Sequence, residues 1–305
     1  MGLHRDRDVV LLNSDAIVHG TWLERLKAAA YSDPKVATVN PLTNCSHISN
    51  YPFREGNDGI TLEVPDDVLD DLAAEKNAGL YERVHTTVGF CMYIKRRCLD
   101  QVGLFDVRHF PIGYGEESDF CYRARKLGWR HLIAGNVFVR HLENQSFGER
   151  KAKLMQEMIP KFLSLHPDCA HYDAEFKRLD PLRHLRAGLD LARLKQMLGS
   201  PGDLRMYVSN GAADAIAMTD PIALVYEPEQ RGIRIVASNG HVFPNLDPYK
   251  MPKDIVRFNA AMRYLGIGKI VCGSVHERAA FEKQIVPKSI ELELETKLDL
   301  VAEAG

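Results

Sequence analysis

The chain has 305 residues with 41 acidic and 39 basic side chains, so its formal net charge of −2 gives no electrostatic case for nucleic-acid binding. Hydrophobic residues make up 45% and charged residues 26%, which is typical of a globular protein of about two domains and argues against disorder. Six cysteines without a CxxC pair are too few for a disulfide scaffold, so we expect reduced thiols in a cytoplasmic protein.

The first part of the chain predicts alternating strands and helices. The apolar run at residues 8–12 is typical of a strand buried on both faces, and it is followed by Asn13-Ser14-Asp15. A helix is predicted to begin near Thr21, where the sequence has capping-box spacing. Residues 35–40 predict a second strand, which Pro41 should end.

The middle of the chain alternates short elements with loops. Residues 65–76 predict a short helix, residues 86–94 a strand, and residues 96–102 a helix that a glycine ends. A glycine-rich loop, residues 112–115, precedes a predicted helix over residues 116–127. This order of elements predicts an α/β fold.

Two strands are predicted next, at residues 130–134 and 137–141, and residues 150–198 read as helical. The segment 177–195 is basic, and its leucines lie close to helical spacing. We expect these leucines to pack against the preceding domain; the alternative is a helix lying on an anionic membrane surface.

Residues 201–305 predict a small α/β domain of unknown role. Asn239-Gly240 is a strong hairpin signal and would join strands at residues 233–237 and 241–243. The other predicted elements are strands at 206–209, 222–226, 269–272 and 290–295, and a helix over 255–265.

Asn13-Ser14-Asp15 is the first candidate site, because it follows a predicted strand of an α/β sheet. Ligands of such sheets bind at the carboxyl ends of strands, and two oxygen-bearing side chains two residues apart can face one hard cation and its phosphates. The alternative is a polar turn in which Asp15 caps the backbone.

Three carboxylates, Glu116, Glu117 and Asp119, form the second candidate site at the start of a predicted helix. Acidic residues match the helix dipole at this position, which is the purely structural explanation. The functional explanation is that crowded like charges raise one pKa, which suits a general base.

His141 is the third candidate, at the end of the strand 137–141. A single histidine at a strand end is usually structural. Asp15 and His141 together could hold Mn²⁺ or Mg²⁺, and one imidazole among oxygen ligands fits Mn²⁺ slightly better. If they share a metal, their side chains should lie within about 6 Å of each other.

Three blocks of the sequence resemble the second half of family 2 glycosyltransferases, and they occur in that family's order. The blocks are VVLLNSDAIVHGTWLERL, GFCMYIKRRCLDQVGLFD, and YGEESDFCYRARKLGWR continued by VFVRHLENQSF. The resemblance covers residues 8–150 and implies a GT-A fold, a nucleotide-sugar donor and inverting transfer to the hydroxyl of a glycan or lipid-linked acceptor. It also implies a role in polysaccharide or glycoconjugate synthesis.

The resemblance implies a metal site that also binds the donor diphosphate. Asn13 and Asp15 match the family's DxD motif, in which Asn13 replaces the first aspartate, so Asp15 would be the charged ligand. His141 matches a histidine that often completes this metal site. The expected cofactor is Mn²⁺ or Mg²⁺.

The resemblance also assigns roles to the acidic cluster and to two residues on the acceptor side. Glu116 and Glu117 match the family's Glu-Asp pair, and Glu117 takes the place of the residue that acts as base. Asp119 matches a further acid that orients groups or binds the acceptor. Trp22 and Gly89 lie in blocks that shape the acceptor side.

One departure from the family pattern concerns the nucleotide-binding half, which precedes the DxD motif. Only 12 residues precede Asn13, whereas one βαβ unit needs about 30. We therefore expect a partial GT-A fold with a mixed sheet in residues 1–165, a helical linker at 166–200 and a small α/β domain at 201–305.

This departure leaves two functional alternatives open. In one, the chain is a fragment, its start is misassigned, or a partner chain supplies the missing half, and residues 1–305 alone transfer no sugar at a useful rate. In the other, the chain is a non-catalytic scaffold or acceptor-binding module. The expected location is the cytoplasm; peripheral contact with the inner face of the membrane is the alternative.

Overall fold

The computed structural model describes residues 1, 3–55, 61–111, 115–142, 148–199, 205–209, 222–227, 232–237, 241–246, 249–250, 252–272, 275, 278–279, 282 and 290–294. The first three residues of the glycine-rich loop, the hairpin turn at 239–240 and the end of the third resembling block at 143–147 lie outside this part of the chain. The chain forms two compact units, Met1–Leu189 and Asp190–Gly305.

The first unit contains a six-stranded mixed sheet, which confirms the predicted α/β class. Its strand order is β1-β5-β3-β6-β2, and β4 also pairs with β6. Strands β3 and β6 are parallel, and the other pairs are antiparallel. The strands are β1 (Val9–Leu12), β2 (Ala16–Ile17), β3 (Val36–Thr43), β4 (Tyr81–Val84), β5 (Cys91–Ile94) and β6 (Arg130–His141).

Helices cover this sheet, and several agree closely with the sequence prediction. They are α1 (Trp22–Ala30), α2 (Asp66–Lys76), α3 (Arg96–Val102), α4 (Glu116–Lys126), α5 (Gly148–Leu165), α6 (Cys169–Leu179) and α7 (Arg183–Leu198). Among the described residues, each helix is too short or too polar to cross a bilayer.

Three leucines of the basic segment are part of the core of the first unit. Leu182, Leu185 and Leu189 are fully buried and pack in one cluster with side chains of α2 and β6. A buried leucine contributes about 1.5–3 kcal/mol of hydrophobic stabilisation, which favours the packing interpretation over a membrane-facing one. Gly135 permits this packing, since a Cβ there would lie 2.5 Å from a methyl group of Leu185.

Strand β1 differs from the prediction. It is only half-buried and pairs antiparallel with β5 at the edge of the sheet, instead of lying inside a parallel sheet. The capping box predicted from Thr21 is also absent, since its side chain makes no capping hydrogen bond.

Three strand boundaries were predicted wrongly. Strand β3 continues through Pro41, where a register shift against β6 accommodates the residue that lacks an N–H group. The strand predicted over 86–94 is confined to 91–94, with β4 lying earlier in the chain. The two strands predicted at 130–134 and 137–141 form the single strand β6.

The second unit has its own six-stranded sheet, with strand order β10-β9-β8-β7-β11-β12. The predicted hairpin is wrong, because residues 241–246 form no strand and β9 pairs instead with β8 and β10. The elements are β7 (Arg205–Ser209), β8 (Ile222–Glu227), β9 (Gly232–Ala237), β10 (Tyr249–Lys250), α8 (Ile255–Leu265), β11 (Lys269–Cys272) and β12 (Glu291–Leu294).

Candidate functional site

The turn that carries Asn13 and Asp15 is fixed at the carboxyl end of β6. The amide of Asn13 donates to the carbonyl of Phe90 at 2.8 Å, and the amide of Leu142 donates to the carbonyl of Asp15 at 3.0 Å. Strand β2 follows the turn and pairs with the end of β6, so that Ala16 lies opposite His141. Asn13 and His141, which are 128 residues apart in the chain, are thereby neighbours.

The side chains of Asn13, Asp15 and His141 lie together, as the sequence predicted. His141 Nε2 is 3.5 Å from Asp15 Oδ1 and 3.4 Å from Asn13 Nδ2, which is within the 6 Å separation expected. The side chains of Asp15 and His141 are 17% and 12% exposed, so both are largely buried but still reach the surface.

The other edge of His141 is held by protein groups that the sequence analysis did not identify. Its Nδ1 lies 3.3 Å from the carbonyl oxygen of Cys45. A carbonyl can only accept, so Nδ1 carries a proton, and Nε2 is the ring nitrogen that faces Asp15. The amide of Asn44 bonds both backbone groups of His141, at 2.7 and 2.9 Å, and the Phe90 ring stacks on the imidazole at 5.1 Å.

A signal for Asn44 and Cys45 was present in the sequence. Both follow β3, and the carboxyl ends of adjacent parallel strands meet at the edge of an α/β sheet where ligands bind. Polar residues after β3 should therefore lie beside the end of β6, as they do.

The chemistry of these groups fits a divalent cation. A carboxylate oxygen and a neutral imidazole nitrogen are ligands for Mn²⁺ or Mg²⁺, and a carbonyl that orients the imidazole is a typical outer partner of a metal-binding histidine. No cluster of three or more His, Cys, Asp or Glu side chains that could hold a metal occurs in the described part of the chain. Asp15 and His141 would therefore leave several coordination positions for water and substrate phosphate, as is usual for Mg²⁺.

Glu116 and Glu117 lie in the first turn of α4, directly after Gly115. Gly115 has φ = 125°, and a Cβ at this position would lie 2.8 Å from the Phe110 ring, so only glycine fits. One carboxylate oxygen of each glutamate is buried without a hydrogen-bond partner. Burial, and then the neighbouring charge of Glu117, raise the pKa of Glu116 to about 7.

Gly89 and Phe90 connect the acidic pair to the histidine. A Cβ on Gly89 would lie 4.0 Å from Glu117 Oε1, while the next residue, Phe90, stacks on His141. Glu117 and His141 therefore lie on either side of a two-residue bend. Trp22, the other residue predicted on the acceptor side, is half-buried against the apolar cluster that includes Phe90.

Asp119 has a different environment from the two glutamates. Its carboxylate accepts from Arg123 Nε at 2.7 Å and from His166 Nε2 at 2.9 Å, and the residue is only 4% exposed. Both oxygens thus have protein partners, and an orienting or acceptor-binding role for Asp119 stays a prediction. His166 was not identified from the sequence, since nothing local marks a partner 47 residues away.

A buried network of hydrogen bonds lies near the amino-terminal ends of β3 and β6. Thr38 Oγ1 lies 2.7 Å from both Thr87 Oγ1 and His131 Nδ1, while His131 Nε2 donates to the Cys121 carbonyl at 3.0 Å. Burial lowers the pKa of His131 to about 3, so the ring is neutral and can accept from Thr38. This hydrogen-bond network links α4 to the segment that leads to Gly89.

Comparison with known proteins identifies the first unit. Residues 4–158 match the family model described as glycosyltransferase like family 2, which is just over half of the 305 residues. No curated protein matches the chain. The mixed sheet is consistent with a GT-A-like domain, and this family implies a nucleotide-sugar donor and an acceptor. The matched segment includes all the predicted site residues from Asn13 to His141, and the chain therefore belongs to the family 2-like glycosyltransferases.

Proposed function

We propose that this protein transfers a sugar from a nucleotide-sugar donor to the hydroxyl of a glycan or lipid-linked acceptor, with inversion at the anomeric carbon. Glu117 is the base, and Asp15, His141 and Asn13 bind the diphosphate side of the donor with Mn²⁺ or Mg²⁺. This reaction would serve polysaccharide or glycoconjugate synthesis.

One observation carries the proposal: the Gly89–Phe90 bend joins the two sets of functional groups. Phe90 stacks on His141, and Gly89 leaves space beside Glu117 Oε1. A substrate lying over this bend can present its diphosphate to His141 and its acceptor hydroxyl to Glu117. Positioning of this kind can supply about 7–11 kcal/mol of a reaction barrier.

The acid–base chemistry follows from the environment of the glutamate pair. Near neutral pH the raised pKa of Glu116 keeps a proton on that residue much of the time, which relieves the repulsion on an ionised Glu117. Glu117 then accepts the proton of the acceptor hydroxyl while the hydroxyl oxygen bonds to the anomeric carbon of the donor sugar. The bond from that carbon to the diphosphate breaks, and the nucleoside diphosphate leaves.

Asp15 and His141 would hold the cation, and Asn13 lies beside them as an uncharged polar group. A divalent cation, when bound, supplies positive charge against the diphosphate leaving group. The hydrogen bond from His141 Nδ1 to Cys45 orients Nε2 towards Asp15 and Asn13.

The proposal is tested by nucleotide release from a panel of nucleotide-sugar donors, with Mn²⁺ and with or without mixed glycan acceptors. The assay is run on residues 1–305 alone, for which no useful rate is expected, and with the nucleotide-binding half of a family 2 glycosyltransferase added. With that half present we expect release that depends on an acceptor, stops when a chelator removes the cation, and returns when Mn²⁺ or Mg²⁺ is added. Failure of the whole panel in both assays, with the chain shown to be folded, would support the non-catalytic acceptor-binding alternative.

A further inference from the structure

A cavity of about 390 Å³ lies in the first unit, between the loop at residues 46–55, His85 and helix α6. Its volume is within the range of about 300–1,000 Å³ that is usual for small-molecule sites. Three of its lining residues, Asp173, Phe176 and Lys177, lie beyond the family-matched segment. The wall that α6 contributes to the cavity therefore lies outside the family-matched segment.

Two lining residues adjoin groups of the candidate site. Ser46 follows Cys45, whose carbonyl accepts from His141. His85 precedes Thr86, whose hydroxyl lies 3.5 Å from that of Ser118, the residue after Glu117. Connections to both halves of the site place the cavity where a remote part of a substrate could bind.

The walls of the cavity are preformed. The backbone amide of Ser46 donates to Asn50, and the Asn50 amide donates to the carbonyl of Arg54 at 3.4 Å. Arg54 in turn donates to the carbonyl of Phe176 at 3.3 Å, which ties the loop to α6. A preformed wall lowers the entropy cost of ligand binding.

The charges that line the cavity are balanced. Lys177 Nζ lies 3.7 Å from Glu55 Oε1 at the rim, and His85 Nε2 lies 2.6 Å from Asp173 Oδ1. An anion would be repelled by the two carboxylates, and a cation by Arg54 and Lys177. A neutral ligand rich in hydroxyl groups matches the alternating donors and acceptors.

We propose that this cavity binds a neutral sugar unit of the acceptor, remote from the hydroxyl that reacts. This inference rests on the proposed function, because it assigns the cavity to the acceptor of that reaction. Asp173 would accept from sugar hydroxyls while His85 holds its other face, and Arg54 and Lys177 would donate to them.

The first test measures binding without donor or metal. Saturation-transfer NMR is recorded on the full chain with neutral mono- and disaccharides, and with a sugar acid and inorganic phosphate as charged comparators. We expect binding of a neutral sugar, and Asp173→Asn should weaken it by about tenfold or more, as for the loss of a hydrogen bond to a charged group. Glu175→Gln is the matched control, since Glu175 is exposed on α6 and is not among the cavity-lining residues.

The second test separates this inference from the proposed function. Donor hydrolysis without acceptor reports the reaction centre, and the acceptor KM reports the cavity. We expect Asp173→Asn and the rim variant Lys177→Met to raise the acceptor KM while leaving donor hydrolysis unchanged. Unchanged KM in both variants, or no neutral sugar bound in the NMR panel, overturns the cavity proposal even if the donor is consumed. Sugar binding that is sensitive to Asp173→Asn, with no donor consumed, retains the cavity and rejects the transferase mechanism.

Discussion

Helix α4 carries two sets of carboxylates that the fold treats in opposite ways. Asp119 is buried between Arg123 and His166, and both of its oxygens accept hydrogen bonds. Glu116 and Glu117, in the same first turn, each have a buried oxygen without a partner. The difference separates a carboxylate whose two oxygens both have protein partners from a pair in which each carboxylate keeps one oxygen without a partner.

The largest expected effect is on catalysis, from Glu117→Gln. Glutamine keeps the size of the side chain but cannot accept the acceptor's proton, so we expect sugar transfer to fall by about 10²–10⁴-fold. Acceptor-dependent nucleotide release measures the effect, and thermal unfolding checks that the variant is folded. Full activity would show that Glu117 is not the base. The acidic pair would then be explained by its favourable interaction with the helix dipole.

The second effect is on stability, from Asp119→Ala. This change leaves the Arg123 guanidinium and the buried His166 ring without their carboxylate acceptor, and breaking a buried pair typically costs about 3–5 kcal/mol. Urea unfolding measures the loss, with Glu175→Gln as an exposed control on another helix. A loss near that of a surface ion pair, about 0–1 kcal/mol, would show that Asp119 does not stabilise the fold through Arg123 and His166.

Local patterns in the sequence were sufficient for most helices of the first unit. The pattern around residues 65–76 and 96–102 depends on neighbours three or four residues apart, and both helices appear there. The convergence of Asn13, Asp15 and His141 was predicted from the resemblance to a family metal site, since two other strands separate β1 from β6 in the sheet.

Features that depend on distant partners could not be predicted in this way. The edge position of β1 follows from its pairing with β5, about 80 residues later, which the apolar run alone does not specify. The continuation of β3 through Pro41 depends on a register shift against β6. The contacts of His166 with Asp119 and of Asp173 with His85 depend on how the helices after residue 148 pack against the sheet.

The third prediction concerns the glutamate pair: Glu116→Gln should change how the stability of the protein depends on pH. The pKa of Glu116 is about 7 in the folded protein, against 4.5 for an ordinary glutamate. Between these values the folded chain holds a proton that the unfolded chain has lost, so the stability of the wild type falls as pH rises from 4.5 to 7. One such proton changes the free energy of unfolding by at most about 1.4 kcal/mol per pH unit.

Glutamine imitates the protonated carboxyl group and does not titrate. The variant should therefore match the wild type at the acidic end of this range and become relatively more stable towards pH 7. Urea unfolding of both proteins at several pH values gives the difference. Parallel profiles would show that Glu116 titrates in the same way in the folded and unfolded chain.

The smallest effect is expected from Ser118→Ala, between the two sets on the same turn of α4. Its hydroxyl accepts from Thr86 at 3.5 Å, which is long for an O–H···O hydrogen bond, whose usual distance is about 2.5–3.0 Å. The Thr86 hydroxyl also reaches the Thr87 carbonyl at 3.4 Å, so the substitution leaves it with an acceptor. We expect a change in stability within about 0.5 kcal/mol and unchanged nucleotide release. A large loss of activity without a loss of stability would show that Ser118 takes part in the reaction. The functional part of α4 would then extend beyond Glu116 and Glu117.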